Sequence, residues 1–304
     1  MLGISTAWRS EVSDSGKEIV EEILSLGVQA VEAEYRMTKA MLQDILPLVE
    51  EGRVRVTSLH NILPLPPRIP KERANGEFVS LSSPEERERK SAVKYTLGTM
   101  DWAEKFGAQA VVLHLGKVRM EGVMQSLRRV YDAGETETRE GKDFIAEQKE
   151  IRSRLGKVLV GPSLKSLEML AKAAEMRGIF LGIENRYNIQ DFPNLEEFKS
   201  LLEEFRGSPV RYWHDIGHAT TQENLGLVRK GELLQNFGEL LVGVHLHGCR
   251  GYMDHYAPGS GEEDYLLLKK FLKAETIRVV ETHHRATREE LIKGLDFLRI
   301  QGIA

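Results

Sequence analysis

SLKSLEMLAKAAEMRGIFLGIEN, residues 163–185, reads as one helix, one left-handed turn and one strand. Apolar residues recur at helical spacing up to Gly178, a residue suited to a left-handed helix C-cap, and a β-type run follows at once. The same unit recurs along the whole chain. Strands are expected near 2–5 and at 30–35, 54–59, 110–114, 180–185, 210–215, 241–247 and 276–282, with helical patterns between them. Gly27, Gly52, Gly107, Gly178 and Gly207 each stand at the end of a helical run just before the next strand. Strict βα alternation implies a parallel sheet covered by helices. Eight units without a dominant Gly-rich nucleotide loop favour an α/β fold of the (β/α)8 TIM-barrel class over an open doubly wound sheet.

One barrel of about 250 residues plus insertions accounts for the length, so residues 1–304 are read as a single TIM-barrel domain. The Pro-rich LPLPPRIP is too short to be a linker between domains. Two segments break the rhythm: a polar, Pro-rich connection at 61–84, and a highly charged insertion at 117–162. The second would be a solvated helical excursion or, like many long loops, a wall of the substrate pocket. A formal charge of −4 provides no global attraction for nucleic acid or anionic membrane, although Arg68, Lys71, Arg73, Lys117 and Arg119 could form a local basic track. The lone Cys249 excludes an internal disulfide framework. MLGISTAWRS lacks a signal-like pattern and no run approaches ~20 apolar residues, so a cytoplasmic protein is expected. A homo-oligomer is compatible with the sequence.

All nine histidines fall in or just after the strand-like runs, and none in the body of a predicted helix. His60, His114, His214, His218, His245, His247, His255, His283 and His284 are joined there by Glu184, Asp215 and Glu281. In a β/α barrel the carboxyl ends of the strands converge on one mouth, so donors far apart in sequence can share a centre. Imidazole and carboxylate donors at every strand end from the third to the eighth point to a divalent metal site. Each residue has a blander reading alone. Asp215 could simply cap a helix, Glu184 could pair with Arg186, His60 or His114 could be a hydrogen-bonded core histidine, and Asp264 after PGSGEE could cap the next helix. Their coincidence at successive strand ends favours the metal.

GIENR with Glu184, HDIGHA with Asp215 and His218, VHLHG with His245, DHYAPGSGEEDY with His255, and VVETHH with Glu281 resemble the xylose-isomerase-like TIM barrels. That superfamily includes sugar isomerases and epimerases, sugar-acid dehydratases and endonuclease IV. In its sugar-converting members the matching residues hold one divalent ion, which the resemblance assigns to Glu184, Asp215, His245 and Glu281. In its nucleases further histidines, matching His60, His114, His218 and His255, complete a zinc cluster. The chain departs from the nuclease pattern at Met253, where an Asp is expected, with Asp254 displaced by one. It also has Gly248 where many relatives carry Asp or Asn. His247 shares a strand face with His245, which suits contact with a metal ligand or with substrate.

The resemblance implies an isomerase or epimerase of a small sugar or sugar derivative, with Glu184 and Glu281 moving a proton through a metal-bound enediolate and His218 serving a hydroxyl or carbonyl. Manganese, cobalt, magnesium or zinc would suit these ligands. Arg186 and Arg250 would suit a phosphate or carboxylate on the substrate. The rival is a metal-dependent hydrolase of endonuclease IV type, acting on a phosphodiester, amide or ester with two or more ions. A barrel that binds without turnover is a third reading, disfavoured because it would not need two opposed carboxylates around an open metal.

Overall fold

A computed structural model of the chain describes residues 1–304. Eight parallel strands close into a barrel: β1 (Leu2–Ser5), β2 (Ala30–Ala33), β3 (Arg55–His60), β4 (Ala110–Leu113), β5 (Phe180–Glu184), β6 (Val210–Asp215), β7 (Leu241–Leu246) and β8 (Ile277–Val280). They follow one another around the wall in chain order, and β8 returns to β1 with Val279 opposite Gly3. Every predicted strand is present, its ends within two residues of expectation. All five predicted cap glycines lie in the left-handed region, at φ between 64° and 83°, where a side chain would be strained.

The wall is buried on both faces. Outside it, a cluster of 60 buried residues joins the strands to the surrounding helices. Inside, Ala110, Val112, Trp213, Ile277 and Val279 form a separate apolar plug. The Trp213 indole fills the lumen because two neighbouring strands carry glycine against it. A Cβ at Gly182 would lie 2.9 Å from the ring, and one at Gly243 would lie 2.1 Å from it. Above this plug the His245 ring meets the indole at 5.1 Å, so the floor of the polar mouth is fixed by an aromatic stop.

The charged insertion corrects the sequence reading. Instead of an excursion ending near 162, a single helix runs from Arg139 to Arg177, 39 residues, straight through Pro162. An interior proline costs a helix roughly 3 kcal/mol, but this helix is anchored on both sides of it. On the C-terminal side Leu167, Leu170 and Ala174 pack into the core and Ser166 Oγ donates to the Leu81 carbonyl at 2.7 Å. On the N-terminal side Arg152, fully buried, donates to the carbonyls of Ile189 (3.1 Å) and Asp191 (2.7 Å) and to Glu197 (2.5 Å). The insertion therefore clamps the loop after β5.

Arg152→Ala is expected to lower unfolding free energy by about 3–5 kcal/mol, because it leaves the buried Glu197 carboxylate without its partner. Denaturant titration reads this directly, and adding Glu197→Ala should recover part of the loss. A cost below about 1 kcal/mol, the range of an exposed ion pair, would show that the clamp carries no buried charge.

Candidate active site

Six histidines converge at the carboxyl-terminal mouth with the predicted carboxylates. Three sets of donor atoms each lie within 4.8 Å of one another: Glu184, Asp215, His245 and Glu281; His60, His114 and Glu184; and Asp215, His218, His247 and His255. Glu184 and Asp215 are shared between sets, so the centre is continuous. His214 stays outside it. It lies one position before Asp215 on β6, bonds the Tyr212 hydroxyl at 2.8 Å, and is pushed down to about 4 by burial.

Hydrogen bonds on the far nitrogens fix how the imidazoles present themselves. His245 Nε2 meets the Glu32 carboxylate at 3.0 Å, which turns Nδ1 toward Glu184 (2.8 Å), Glu281 (3.1 Å) and Asp215 (3.7 Å). His60 Nδ1 donates to the Asn61 carbonyl at 3.1 Å, aiming Nε2 at Glu184. His218 Nδ1 donates to the Asn185 carbonyl at 3.0 Å, leaving a lone pair on Nε2. Burial pushes His218 down to about 4, so that lone pair is free near neutral pH. His247 differs. Its Nδ1 accepts the His255 backbone N–H at 3.0 Å, so Nε2 carries the proton and donates to Asp215 at 2.9 Å. The His255 backbone reaches that position in a left-handed conformation, φ 61°. His247 thus orients a carboxylate.

Asp215 does two jobs. It caps the helix Ile216–Asn224 by accepting the His218 backbone N–H at 2.7 Å, and it also stands in the centre. Asn185 locks this corner: its side chain accepts from Tyr212 Oη and the Asp215 N–H, each at 2.9 Å, and donates to the Asp215 carbonyl at 2.9 Å. Burial alone would raise the Glu184 carboxyl, but the imidazoles of His114, His245 and His60 outweigh it and hold it well below the usual range. Glu281 is likewise held down against burial by His245 and His255.

The donors fit a divalent cation. Three buried carboxylates surround one imidazole nitrogen, an arrangement that needs positive charge at its centre. His218 Nε2 and Asp254 Oδ2 face each other at 3.5 Å, and both are buried without a hydrogen-bond partner. Two acceptors in that relation call for an ion or a donor between them.

Sequence reasoning passed over β2. Glu32 sits under His245 and accepts the Ser58 hydroxyl at 2.7 Å, so the centre draws on β2 as well as on strands 3 to 8. Its signal was a glutamate inside the apolar run AVEA. Glu77, from the 61–84 connection, stands 3.4 Å from His114 Nδ1 and 3.7 Å from Arg186 Nε. Nothing in the sequence paired it with strand 4. Arg186, expected to meet substrate, is instead engaged inside: its guanidinium contacts His114 Nε2 at 2.7 Å and Glu184 at 3.5 Å. Arg250 does lie at the mouth, its guanidinium over Tyr256. The departure at Met253 is smaller than the pattern suggests, since Met253 points outward and Asp254 turns in to His218 and His255. Of the basic track, Lys71 is tied to Asp14 (2.7 Å) and Lys117 to Glu77 (3.5 Å).

Solved structures with the same barrel give the comparison. A D-tagatose 3-epimerase-like protein superposes with a TM-score of 0.68 at 18% identity, covering 99% of this chain and 96% of that one. The chain shares that fold. The 3-keto-D-glucoside 4-epimerase of E. coli matches with a TM-score of 0.68 at 16% identity, covering 98% of each chain. An IolI protein solved with a zinc atom matches with a TM-score of 0.68 at 15% identity, covering 99% of this chain and 97% of that one. No protein-family model matches the chain, and no curated protein matches it by sequence. No helix is long and apolar enough to cross a membrane.

Proposed function

We propose that the chain is a divalent-metal-dependent isomerase or epimerase of a sugar or sugar derivative, its ion held by Glu184, Asp215, His245 and Glu281. The observation that carries this reading is that Glu184 from β5 and Glu281 from β8 bear on the same His245 nitrogen, at 2.8 and 3.1 Å. A bound divalent ion would act as a Lewis acid toward adjacent substrate oxygens and acidify the C–H beside a carbonyl.

The two glutamates divide the proton transfer. Glu184 has both oxygens occupied, by His114 at 2.5 Å and His245 at 2.8 Å, whereas Glu281 is approached by His245 and, at 3.7 Å, by His255 near the rim. Glu281 is therefore the better base, taking the proton from the carbon next to the carbonyl. Return of a proton to the opposite face, delivered by Glu184 with the hydrogen-bonded His114 as its proton source, gives the epimer. Return of the same proton from Glu281 to the neighbouring carbon, with the hydroxyl proton moving between the two oxygens, gives the isomer. His218, neutral with a free Nε2, accepts a hydrogen bond from a substrate hydroxyl and fixes which carbon faces Glu281. Trp213 closes the floor against water.

A hydrolase reading is favoured by one observation, the unpartnered His218 Nε2 and Asp254 Oδ2, which could hold a second ion beside Asp215. The two readings separate in deuterated water. Proton transfer at carbon is expected to place deuterium beside the carbonyl of a ketose substrate in a metal-dependent manner. Metal-dependent cleavage of phosphodiesters, amides or esters, with no exchange into any ketose or its phosphate, would replace the isomerase reading with the hydrolase one.

A further inference from the structure

The mouth opens into a cleft of about 780 Å³, reached directly from Asp254 and His255. That volume is in the upper half of the ~300–1,000 Å³ range of pockets for drug-sized ligands, much more than a free monosaccharide fills. Its charge is unbalanced in a specific way. The acids on its wall have partners: Glu11 with His284 at 2.7 Å, Asp254 through Oδ1 with His255 at 2.9 Å, and Glu290 with the Thr287 backbone N–H at 2.8 Å. Arg36 is paired with the buried Glu34 at 3.0 Å, and Lys293 with Glu289 at 2.8 Å.

Three guanidiniums have no acid partner, although Arg250 Nε donates to the Ser260 carbonyl at 2.7 Å. Arg128, Arg250 and Arg285 line the cleft and none has an acid within 4.0 Å. Arg128 lies over the Tyr252 ring at 5.0 Å with a buried Nε that lacks a partner, and Arg250 lies over Tyr256 at 4.7 Å. Stacking on a ring holds a guanidinium in a fixed plane, and its in-plane N–H groups then match a phosphate or carboxylate in a bidentate way. The three come from different parts of the chain: the helix Val123–Asp132, the loop after β7 and the loop after β8.

We infer that the cleft binds the anionic portion of an extended substrate, a sugar bearing a phosphate or carboxylate several bonds from the carbon that reacts at Glu281. This rests on the sugar-converting reading for the reacting end, while the cleft itself stands on its own geometry. The sugar end reaches His218 and Glu281, and the anionic end is held between Arg128, Arg250 and Arg285. Tyr252 and Tyr256 provide ring faces along the way.

Binding, separate from turnover, tests it. The metal-loaded protein is titrated calorimetrically with D-fructose, D-fructose 6-phosphate and D-galacturonate, and then the Arg128→Gln and Arg285→Gln variants are titrated in the same way. The charged ligands are expected to bind at least about tenfold tighter than the neutral ketose, with each substitution removing about tenfold of that ratio. The phosphate and carboxylate arms identify which anion the cleft prefers. Equal affinity for neutral and charged ligands, or a charged-ligand advantage that survives both substitutions, would overturn the inference. Arginine-dependent binding without any deuterium exchange would instead support the cleft and count against the isomerase reading.

Discussion

Glu281→Gln is expected to leave the barrel folded and to lower turnover by about 10²–10⁴-fold, the range for loss of a positioned general base. Glutamine keeps the shape of the side chain and removes its charge. Its amide can still sit between His245 and His255, so packing at this largely buried position is preserved. On the proposed assignment the substitution removes the carboxylate that takes the proton and weakens the field on the ion by one anionic ligand. Unchanged circular dichroism and denaturant midpoint, together with the fall in turnover and weaker metal retention, would match this. Full activity with full metal occupancy would remove Glu281 from both roles.

Much of the barrel was readable because each βα unit repeats a local signal. Helical periodicity, a left-handed glycine and an apolar strand are all set by neighbours within a few residues, and the strands came out in order. The boundary placed at 162 failed for the opposite reason: a proline locally disfavours helix, but Arg152, Ser166 and the leucines beyond it hold the helix through tertiary contacts. The candidate ligands were legible because histidine and carboxylate at strand ends are unusual on local grounds. Their supporting partners were not. Glu32 lies 213 residues from His245, and Glu77 reaches His114 from an irregular loop, so no spacing rule relates them. Arg186 shows a further limit: an arginine after a strand looks available until its buried acids are seen.

Removal of divalent ions is expected to abolish turnover and to lower the Tm by about 5–8 °C, with both restored on adding metal back. The stability change follows from linkage, since a ligand at a thousand times its Kd stabilises by about 4 kcal/mol, and for a chain of this size each kcal/mol moves the Tm by about 2 °C. Without the cation, Glu184, Asp215 and Glu281 would face one another across a buried centre. Elemental analysis of the loaded protein should find one ion per chain, and His114→Ala should leave that ratio at one while turnover falls. The reason is Arg186. Its guanidinium already places a positive charge against His114 Nε2 at 2.7 Å and Glu184 at 3.5 Å, so the set formed by His60, His114 and Glu184 is compensated without a second ion. The set around His218 has no such cation on Nε2, which makes His218→Ala the decisive companion. A ratio of two that drops to one in His218→Ala would mean the His218 and Asp254 acceptors hold an ion, and hydrolysis would then become the better reading.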